Sequence, residues 1–176
     1  DIGNRLEQIN ELVYEGEYFV INRARQYGKT TTLVELKKFL AEDYIVVLMD
    51  FQRQMSSKKF EEEEIFSEAF LEAFLKKLRM VDSSAYDREQ IDNLRNADAE
   101  LDLVKLFDIL SRICEFSLKP IVLIIDEVDS ASNNQVFLDF LGQLRGGYLE
   151  RDEQAAFHSV ILSGVYDIKN LKGRLR

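Results

Sequence analysis

Short apolar blocks recur along the chain, and longer stretches between them carry apolar residues at a helical spacing. Four blocks are candidate strands, at residues 18–22, 44–49, 121–125 and 158–165. The third block, Ile-Val-Leu-Ile-Ile, contains no polar position. Such a run is typical of a strand that is buried on both faces.

Helices are predicted around these strands because apolar residues recur there every three or four positions. The predicted helices cover residues 4–14, 30–41, 58–80, 101–117 and 134–145. Strands that alternate with helices form a parallel sheet with right-handed crossovers and with helices on both faces. The polar stretch 82–100 is expected to carry only a weak helix at 88–94. Gly146 and Gly147 are expected to end the last helix, and residues 148–157 to be mobile.

Composition is that of one globular domain of 176 residues, with 46% apolar residues to build a core and 31% charged residues. The net charge of −9 and the pI near 4.8 disfavour sequence-independent binding to nucleic acid or to acidic membranes. No apolar run reaches the length of a membrane span.

The single cysteine, Cys114, cannot form a disulfide within the chain, so we expect a cytoplasmic protein. His158 is expected to be structural or exposed, because no cluster has zinc-ligand spacing.

The first chemical motif lies between the strand at 18–22 and the following helix. A loop that ends in Gly-Lys-Thr at this place is typical of a phosphate-binding P-loop, or Walker A motif. Helix N-terminal amides have no intrahelical partner and bind polyphosphate, while Lys29 would reach the outer phosphates and the Thr30 hydroxyl would ligate magnesium. The predicted ATP-binding residues are Arg25, Gln26, Tyr27, Gly28, Lys29, Thr30 and Thr31.

The P-loop match is partial, because Arg23 stands where the general pattern has its first glycine. An alternative interpretation is an ordinary helix N-terminus, with Thr30 or Thr31 as the capping residue and Gly28 in a turn. A second motif favours the P-loop.

The second motif is the acidic pair that follows the buried strand at 121–125, which is a Walker B pattern. Asp126 is predicted to hold magnesium through its water shell, and Glu127 to polarise the attacking water. Carboxylates at such a strand end are costly to bury without a function. The alternative is a pair of solvated charges, with Asp129 and Ser130 beginning a turn.

Several polar residues follow strands and therefore meet at one edge of the predicted sheet, where ligands of parallel sheets bind. Ser163 is either a residue that holds the attacking water or the terminal phosphate, or a strand-end serine before a turn. Asp50 and Gln52 are interpreted as strand-end capping residues in preference to a supporting role near magnesium.

The segments 18–31, 124–129 and 159–170 resemble the P-loop, the Walker B strand and the following strand of the prokaryotic AAA-like ATPases, in which an Arg-x-Arg-Gln-x-Gly-Lys-Thr type of loop replaces the first glycine. The resemblance makes Arg23 a family trait. It implies a three-layer α/β P-loop NTPase core with strand order 5-1-4-3-2, of which 1-4-3-2 is present. It also implies that residues 1–176 are a fragment of a longer protein that lacks the fifth strand, the lid and any arginine finger beyond Arg176.

We therefore expect an ATPase that binds ATP and hydrolyses it slowly to ADP and phosphate with Mg²⁺, with Lys29, Glu127 and Ser163 as catalytic residues. An alternative is a nucleotide-gated interaction switch with negligible hydrolysis, in which loops 52–58 and 148–157 become ordered. A small-molecule kinase is a further alternative, although the Glu127 carboxylate favours water as the acceptor. The expected protein partner is a second copy or a downstream domain of the same protein. The net charge disfavours nucleic-acid binding through the basic tail. No membrane partner is expected.

Overall fold

Four parallel strands form one sheet in the computed structural model, which describes residues 2–22, 29–51, 60–95, 99–131 and 133–164, without the side chains at positions 2, 22 and 29–32. The strands are β1 (Tyr18–Asn22), β2 (Ile45–Asp50), β3 (Ile121–Asp126) and β4 (Ser159–Gly164). Their order is β1-β4-β3-β2, with every pair parallel. The predicted order 1-4-3-2 is therefore confirmed.

The helices of the described residues connect these strands, except for the first, which precedes β1. They are α1 (Ile2–Tyr14), α2 (Lys29–Leu40), α3 (Glu63–Leu78), α4 (Arg88–Asp92), α5 (Leu103–Glu115) and α6 (Gln135–Leu149). Short 3₁₀ turns lie at Ser83–Ala85 and Val128–Ala131. Asp102 caps α5 by accepting from the Lys105 amide at 2.8 Å, and Asn134 caps α6 by accepting from the Phe137 amide at 3.0 Å.

The sheet separates two apolar cores. Along β3, Ile121, Leu123 and Ile125 pack in the core that contains α3, α5 and α6, whereas Val122 and Ile124 pack in the core that contains α1 and α2. This division follows from the pleat, because successive side chains of a strand point to opposite faces. We call the side covered by α1 and α2 the α2 face, and the opposite side the α3 face. Helices thus cover both faces, as predicted.

Phenylalanine rings fill much of the core on the α3 face. Phe51, directly after β2, is only 1% exposed, and its ring centroid lies 5.1 to 6.4 Å from those of five others. These are Phe60, Phe66, Phe70, Phe137 and Phe140. Tilted and edge-to-face pairs contribute about 0.5–1.5 kcal/mol each beyond their buried area. Phe66, Phe70 and Phe74, which recur every four residues along the chain, are all fully buried.

Helix α6 does not end at Gly146 and Gly147, so that prediction was wrong. The helix continues to Leu149 because Leu144 and Tyr148 bury their side chains, and the Tyr148 hydroxyl donates to the Gly16 carbonyl oxygen at 2.5 Å. Tertiary burial here outweighs the weak intrinsic helix propensity of glycine.

The segment after α6 is packed rather than mobile, which corrects a second prediction. Phe157 is buried, and its ring lies 5.9 Å from that of Phe74. The Ser111 hydroxyl also donates to the Ala155 carbonyl oxygen at 2.5 Å. This packing could not be predicted from the mostly polar sequence of the segment, because a single buried ring and a single backbone hydrogen bond are enough to hold it against the core.

Gly16 generates a prediction about stability. Its φ of +71° is disfavoured for other residues, and an added Cβ would lie 3.1 Å from the His158 carbonyl oxygen and 3.2 Å from Arg151 Nη2. We expect Gly16→Ala to lower the free energy of unfolding by about 1–3 kcal/mol, measured by urea denaturation.

Gly142 is the matched control. It lies inside α6, and a Cβ there would meet nothing within 4 Å. Gly142→Ala should therefore raise the free energy of unfolding by up to about 1 kcal/mol, because alanine has the higher helix propensity. Equal destabilisation by both substitutions would contradict the role assigned to Gly16.

Candidate functional site

One row of residues crosses the sheet at the carboxyl ends of its strands. Asp50 of β2 is paired with Asp126 of β3. The register of Ile125 with Leu162 brings Asp126 beside Ser163 in the next position, and Ser163 is paired with Ile21 of β1. Three of the four strands therefore place a polar side chain in the same row.

The polar members of this row share the α2 face. Ile124 packs on that face, so Asp126, two positions later, does as well. Ile161 and Ile21 also pack on the α2 face, which places the side chain of Ser163 there. A side-chain period of two thus brings together residues that are far apart in the sequence.

The amino end of α2 lies near this row. β1 ends at Asn22 on the carboxyl edge of the sheet, and α2 starts at Lys29, seven residues later. The helix ends at Leu40, whose carbonyl oxygen accepts from the Tyr44 amide at 3.0 Å just before β2 begins at the opposite edge. α2 therefore runs away from the carboxyl edge, with its unpaired amides and the positive end of its dipole near the row.

Part of the predicted loop lies outside the described residues. Arg25, Gln26, Tyr27 and Gly28 are not described, nor is Arg23. Lys29, Thr30 and Thr31 are described as the first residues of α2 without their side chains. Their proposed contacts to phosphate and metal stay predictions.

Asp126 and Glu127 differ in environment although they are neighbours. Asp126 is 5% exposed, whereas Glu127 is half-buried and has a φ of +61°. The Glu127 carbonyl oxygen accepts from the Ser130 amide at 3.1 Å and from the Ser130 hydroxyl at 2.7 Å. The chain therefore turns sharply from β3 into the 3₁₀ turn Val128–Ala131.

A left-handed backbone at a non-glycine residue costs about 1–2 kcal/mol, and such strain concentrates at functional sites. The sequence hinted at the turn through Asp129 and Ser130, but it contained no signal for the strained conformation of Glu127. Because the backbone turns at Glu127, the side-chain alternation of β3 that orients Asp126 does not fix the direction of the Glu127 carboxylate.

Ser163 is fully buried, and its hydroxyl has no hydrogen-bond partner among the described residues. Ser159, at the other end of β4, is equally buried, yet its hydroxyl donates to the Glu17 carbonyl oxygen at 2.6 Å. Buried polar atoms are nearly always paired. The hydroxyls of Tyr18 and Ser67 also lack a partner within the described residues, but of the three only that of Ser163 lies in the polar row.

Two other candidate residues lie away from this row. His158 Nε2 lies 2.7 Å from the Val13 carbonyl oxygen and its ring stacks on Tyr44, so it has a structural role. Cys114 lines an apolar groove of about 340 Å³ between α5 and α6 on the α3 face, and burial raises its pKa to about 12. Its thiol is therefore not a nucleophile at neutral pH.

Within the described ranges, no three His, Cys, Asp or Glu side chains are grouped so that they could hold a metal ion by themselves. Among the described helices, none has both the length and the apolar character required to cross a membrane.

No protein-family model matches the chain, and no curated protein matches its sequence. Solved structures do match. Drosophila ORC bound to AT-rich DNA and Cdc6 has a TM-score of 0.60 at 14% identity, over 99% of this chain and 26% of that chain. Cdc6p from Pyrobaculum aerophilum has a TM-score of 0.61 at 15% identity, over 98% of this chain and 42% of that one. The Aeropyrum pernix ORC2 protein, in ADPNP–ADP complexes, has a TM-score of 0.53 at 14% identity, over 97% and 41%.

These matches and the strand order decide the fold class. The fold is that of an AAA-type P-loop NTPase core. Its sheet has the order 1-4-3-2 with helices on both faces. At 14–15% identity the likeness shows the fold alone, and this AAA-type core spans less than half the length of the chains that it matches.

The two serines of β4 generate a prediction. Ser159→Ala should lower the free energy of unfolding by about 1 kcal/mol, because it removes a hydrogen bond and leaves the Glu17 carbonyl oxygen without that donor. Ser163→Ala should leave the free energy of unfolding unchanged or raise it slightly, because it removes a buried hydroxyl without a described partner. Urea denaturation of both variants measures the difference. If Ser163→Ala costs as much as Ser159→Ala, the Ser163 hydroxyl serves the fold.

Proposed function

We propose that this chain binds ATP at the carboxyl edge of its sheet and hydrolyses it slowly to ADP and phosphate with Mg²⁺. The supporting observation is that the amino end of α2, Asp126 and the Ser163 hydroxyl share one edge and one face of an AAA-type sheet. We further propose that the chain is the ATPase core of a longer cytoplasmic protein of the prokaryotic AAA-like type.

The phosphates would be bound by the loop and the first turn of α2. Backbone amides from Arg25 to Thr31 would donate to phosphate oxygens, and Lys29 would neutralise the outer phosphates. The preceding strand fits this role, since β1 ends beside β4 and delivers the chain to the carboxyl edge. Arg23 in place of glycine follows the Arg-x-Arg-Gln-x-Gly-Lys-Thr type of loop.

The residues present fit a magnesium ion. Mg²⁺ is usually held by one or two carboxylates together with substrate phosphates and water, and not by an all-protein cage. Asp126 supplies a buried carboxylate in the polar row, and Thr30 stands in the first turn of α2, where its hydroxyl would complete the protein ligands. When bound, the ion would neutralise charge that develops on the phosphates.

Water activation is assigned to Glu127 and Ser163. Glu127 is half-buried at the strained turn after Asp126, where a carboxylate can accept a proton from water. The buried Ser163 hydroxyl, which has no described protein partner, would orient that water or the terminal phosphate. Turnover should be slow, because an arginine finger contributes about 10³–10⁵-fold and no such residue is assigned here.

The structural neighbours add limited support. The Aeropyrum pernix protein is a complex with ADPNP and ADP, which agrees with a nucleotide site on this fold. The Drosophila structure contains DNA, but the net charge of −9 does not favour a DNA-binding surface on this chain. The proposed protein partner is a second copy or a downstream domain.

A nucleotide-gated switch with negligible hydrolysis is the alternative. Of the two loops that this alternative requires, loop 52–58 lies outside the described residues. In loop 148–157, Ala155 and Phe157 are already packed against the rest of the chain, which does not suit a loop that becomes ordered only when nucleotide binds. The turnover of the unmodified chain separates the two functions.

Lys29→Ala tests nucleotide binding. We expect the substitution to weaken ATP binding by about 10–100-fold in isothermal titration calorimetry, because a charge-assisted contact to phosphate is lost. Lys38→Ala is the matched control on the same helix, since Lys38 is 71% exposed and its ammonium lies 3.7 Å from the Glu35 carboxylate. Unchanged ATP affinity in Lys29→Ala would refute the proposed site.

Glu127→Gln tests hydrolysis separately from binding. ATP affinity should be retained, because the substitution keeps the size of the side chain, while kcat should fall by about 10²-fold or more, as for loss of a general base. Phosphate release in single-turnover assays measures the effect.

Glu127→Gly and Glu127→Ala control for backbone strain. Both remove the carboxylate, but glycine tolerates the φ of +61° and should be more stable than the alanine variant by about 1 kcal/mol. Both should lose turnover to the same extent. Turnover that follows stability across these variants would contradict a role for the carboxylate.

A further inference from the structure

Asp50 is the polar residue of the row that the proposed mechanism does not use. It is the last residue of β2 and the direct register partner of Asp126. The pairing extends one residue further, because the Phe51 amide donates to the Asp126 carbonyl oxygen at 3.3 Å. The backbones that carry the two carboxylates are therefore hydrogen-bonded side by side, with strands about 4.8 Å apart.

The orientation of Asp50 is enforced by its neighbours. Met49 and Phe51 are both buried in the core of the α3 face, and Phe51 is enclosed by the five phenylalanines described above. Because successive side chains point to opposite faces, Asp50 must project towards the α2 face. Turning it away would expose the Phe51 ring, at a cost of several kcal/mol.

Two carboxylates directly opposite each other on neighbouring strands concentrate negative charge at one place on the α2 face. A divalent cation is attracted to such a place more strongly than a single charge is.

A separate observation indicates that the pair faces a ligand. The Ser163 hydroxyl lies next to Asp126 in the same row and on the same face, is fully buried, and has no partner in the described part of the chain. A buried donor beside two parallel carboxylates suits a hydrated cation, whose water molecules both donate to carboxylates and accept from hydroxyls.

We propose that Asp50 is a second carboxylate for the divalent cation that accompanies the nucleotide, acting together with Asp126. This assignment rests on the proposed function and deepens it. Two carboxylates, one hydroxyl, phosphate oxygens and water form a ligand set that magnesium accepts. The proposal thus assigns to Asp50 the supporting role near magnesium that the sequence alone ranks below strand-end capping.

The test is a titration of the full chain with Mn²⁺ in the presence of ADP, followed by electron paramagnetic resonance of the free ion. We expect Asp50→Asn to raise the Mn²⁺ dissociation constant at least tenfold, while ADP affinity in EDTA stays unchanged. Asp43→Asn is the matched control, because Asp43 is exposed near the start of β2 and the substitution removes the same charge. Its Mn²⁺ affinity should equal that of the unmodified chain.

A stability measurement distinguishes ligation from capping. In EDTA, Asp50→Asn and Asp50→Ala should both melt at the same temperature as the unmodified chain if the carboxylate serves the cation. If Asp50 is a structural cap, Asp50→Ala should melt at a lower temperature than Asp50→Asn, because asparagine is a capping residue and alanine is not. Asp50→Ser is a smaller second variant for which the same loss of Mn²⁺ affinity is expected.

The outcomes are distinguishable. ADP binding with equal Mn²⁺ affinity in the unmodified chain, Asp50→Asn and Asp50→Ser would overturn this assignment and leave the proposed function standing. Failure of the unmodified chain to bind ATP or ADP at all would overturn both.

Discussion

The strict side-chain alternation of a parallel sheet is the constraint on which the site depends. Because β2, β3 and β4 are in register, a polar residue at the carboxyl end of each strand enters one row, and the pleat selects which face it occupies. A shift of one residue in any strand would send its polar end residue into the phenylalanine core. Apolar packing therefore positions the polar groups, although it makes no contact with a ligand itself.

Packing on the two faces has different consequences. On the α2 face, Leu33, Leu36 and Leu40 anchor the helix that brings its amino end to the carboxyl edge. On the α3 face, the ring of Phe51 is held among other aromatic rings and prevents β2 from rotating. One core thus supplies the positive helix end, and the other maintains the direction of a carboxylate.

The site concentrates features that a folded chain normally avoids. Glu127 adopts a left-handed backbone, and the Ser163 hydroxyl is buried without a described partner. Each costs of order 1–3 kcal/mol, and the cores on both faces of the sheet can offset such costs. Their coincidence with the end of β3 and the start of α2 supports a binding function more strongly than either motif does alone. The same fold carries different functions in different proteins, so these residues and not the fold must decide the activity.

The strands, the helix types and the parallel sheet could be predicted from the sequence, because a fully apolar run such as 121–125 and helical apolar spacing are local signals. The placement of Asp126 and Ser163 at one edge also followed, since carboxyl ends of parallel strands coincide. The course of α6 through Gly146 and Gly147, the docking of Phe157, the strained turn at Glu127 and the pairing of Asp50 with Asp126 did not follow. These depend on contacts between segments that are distant in the chain, and neither propensity nor periodicity records such contacts.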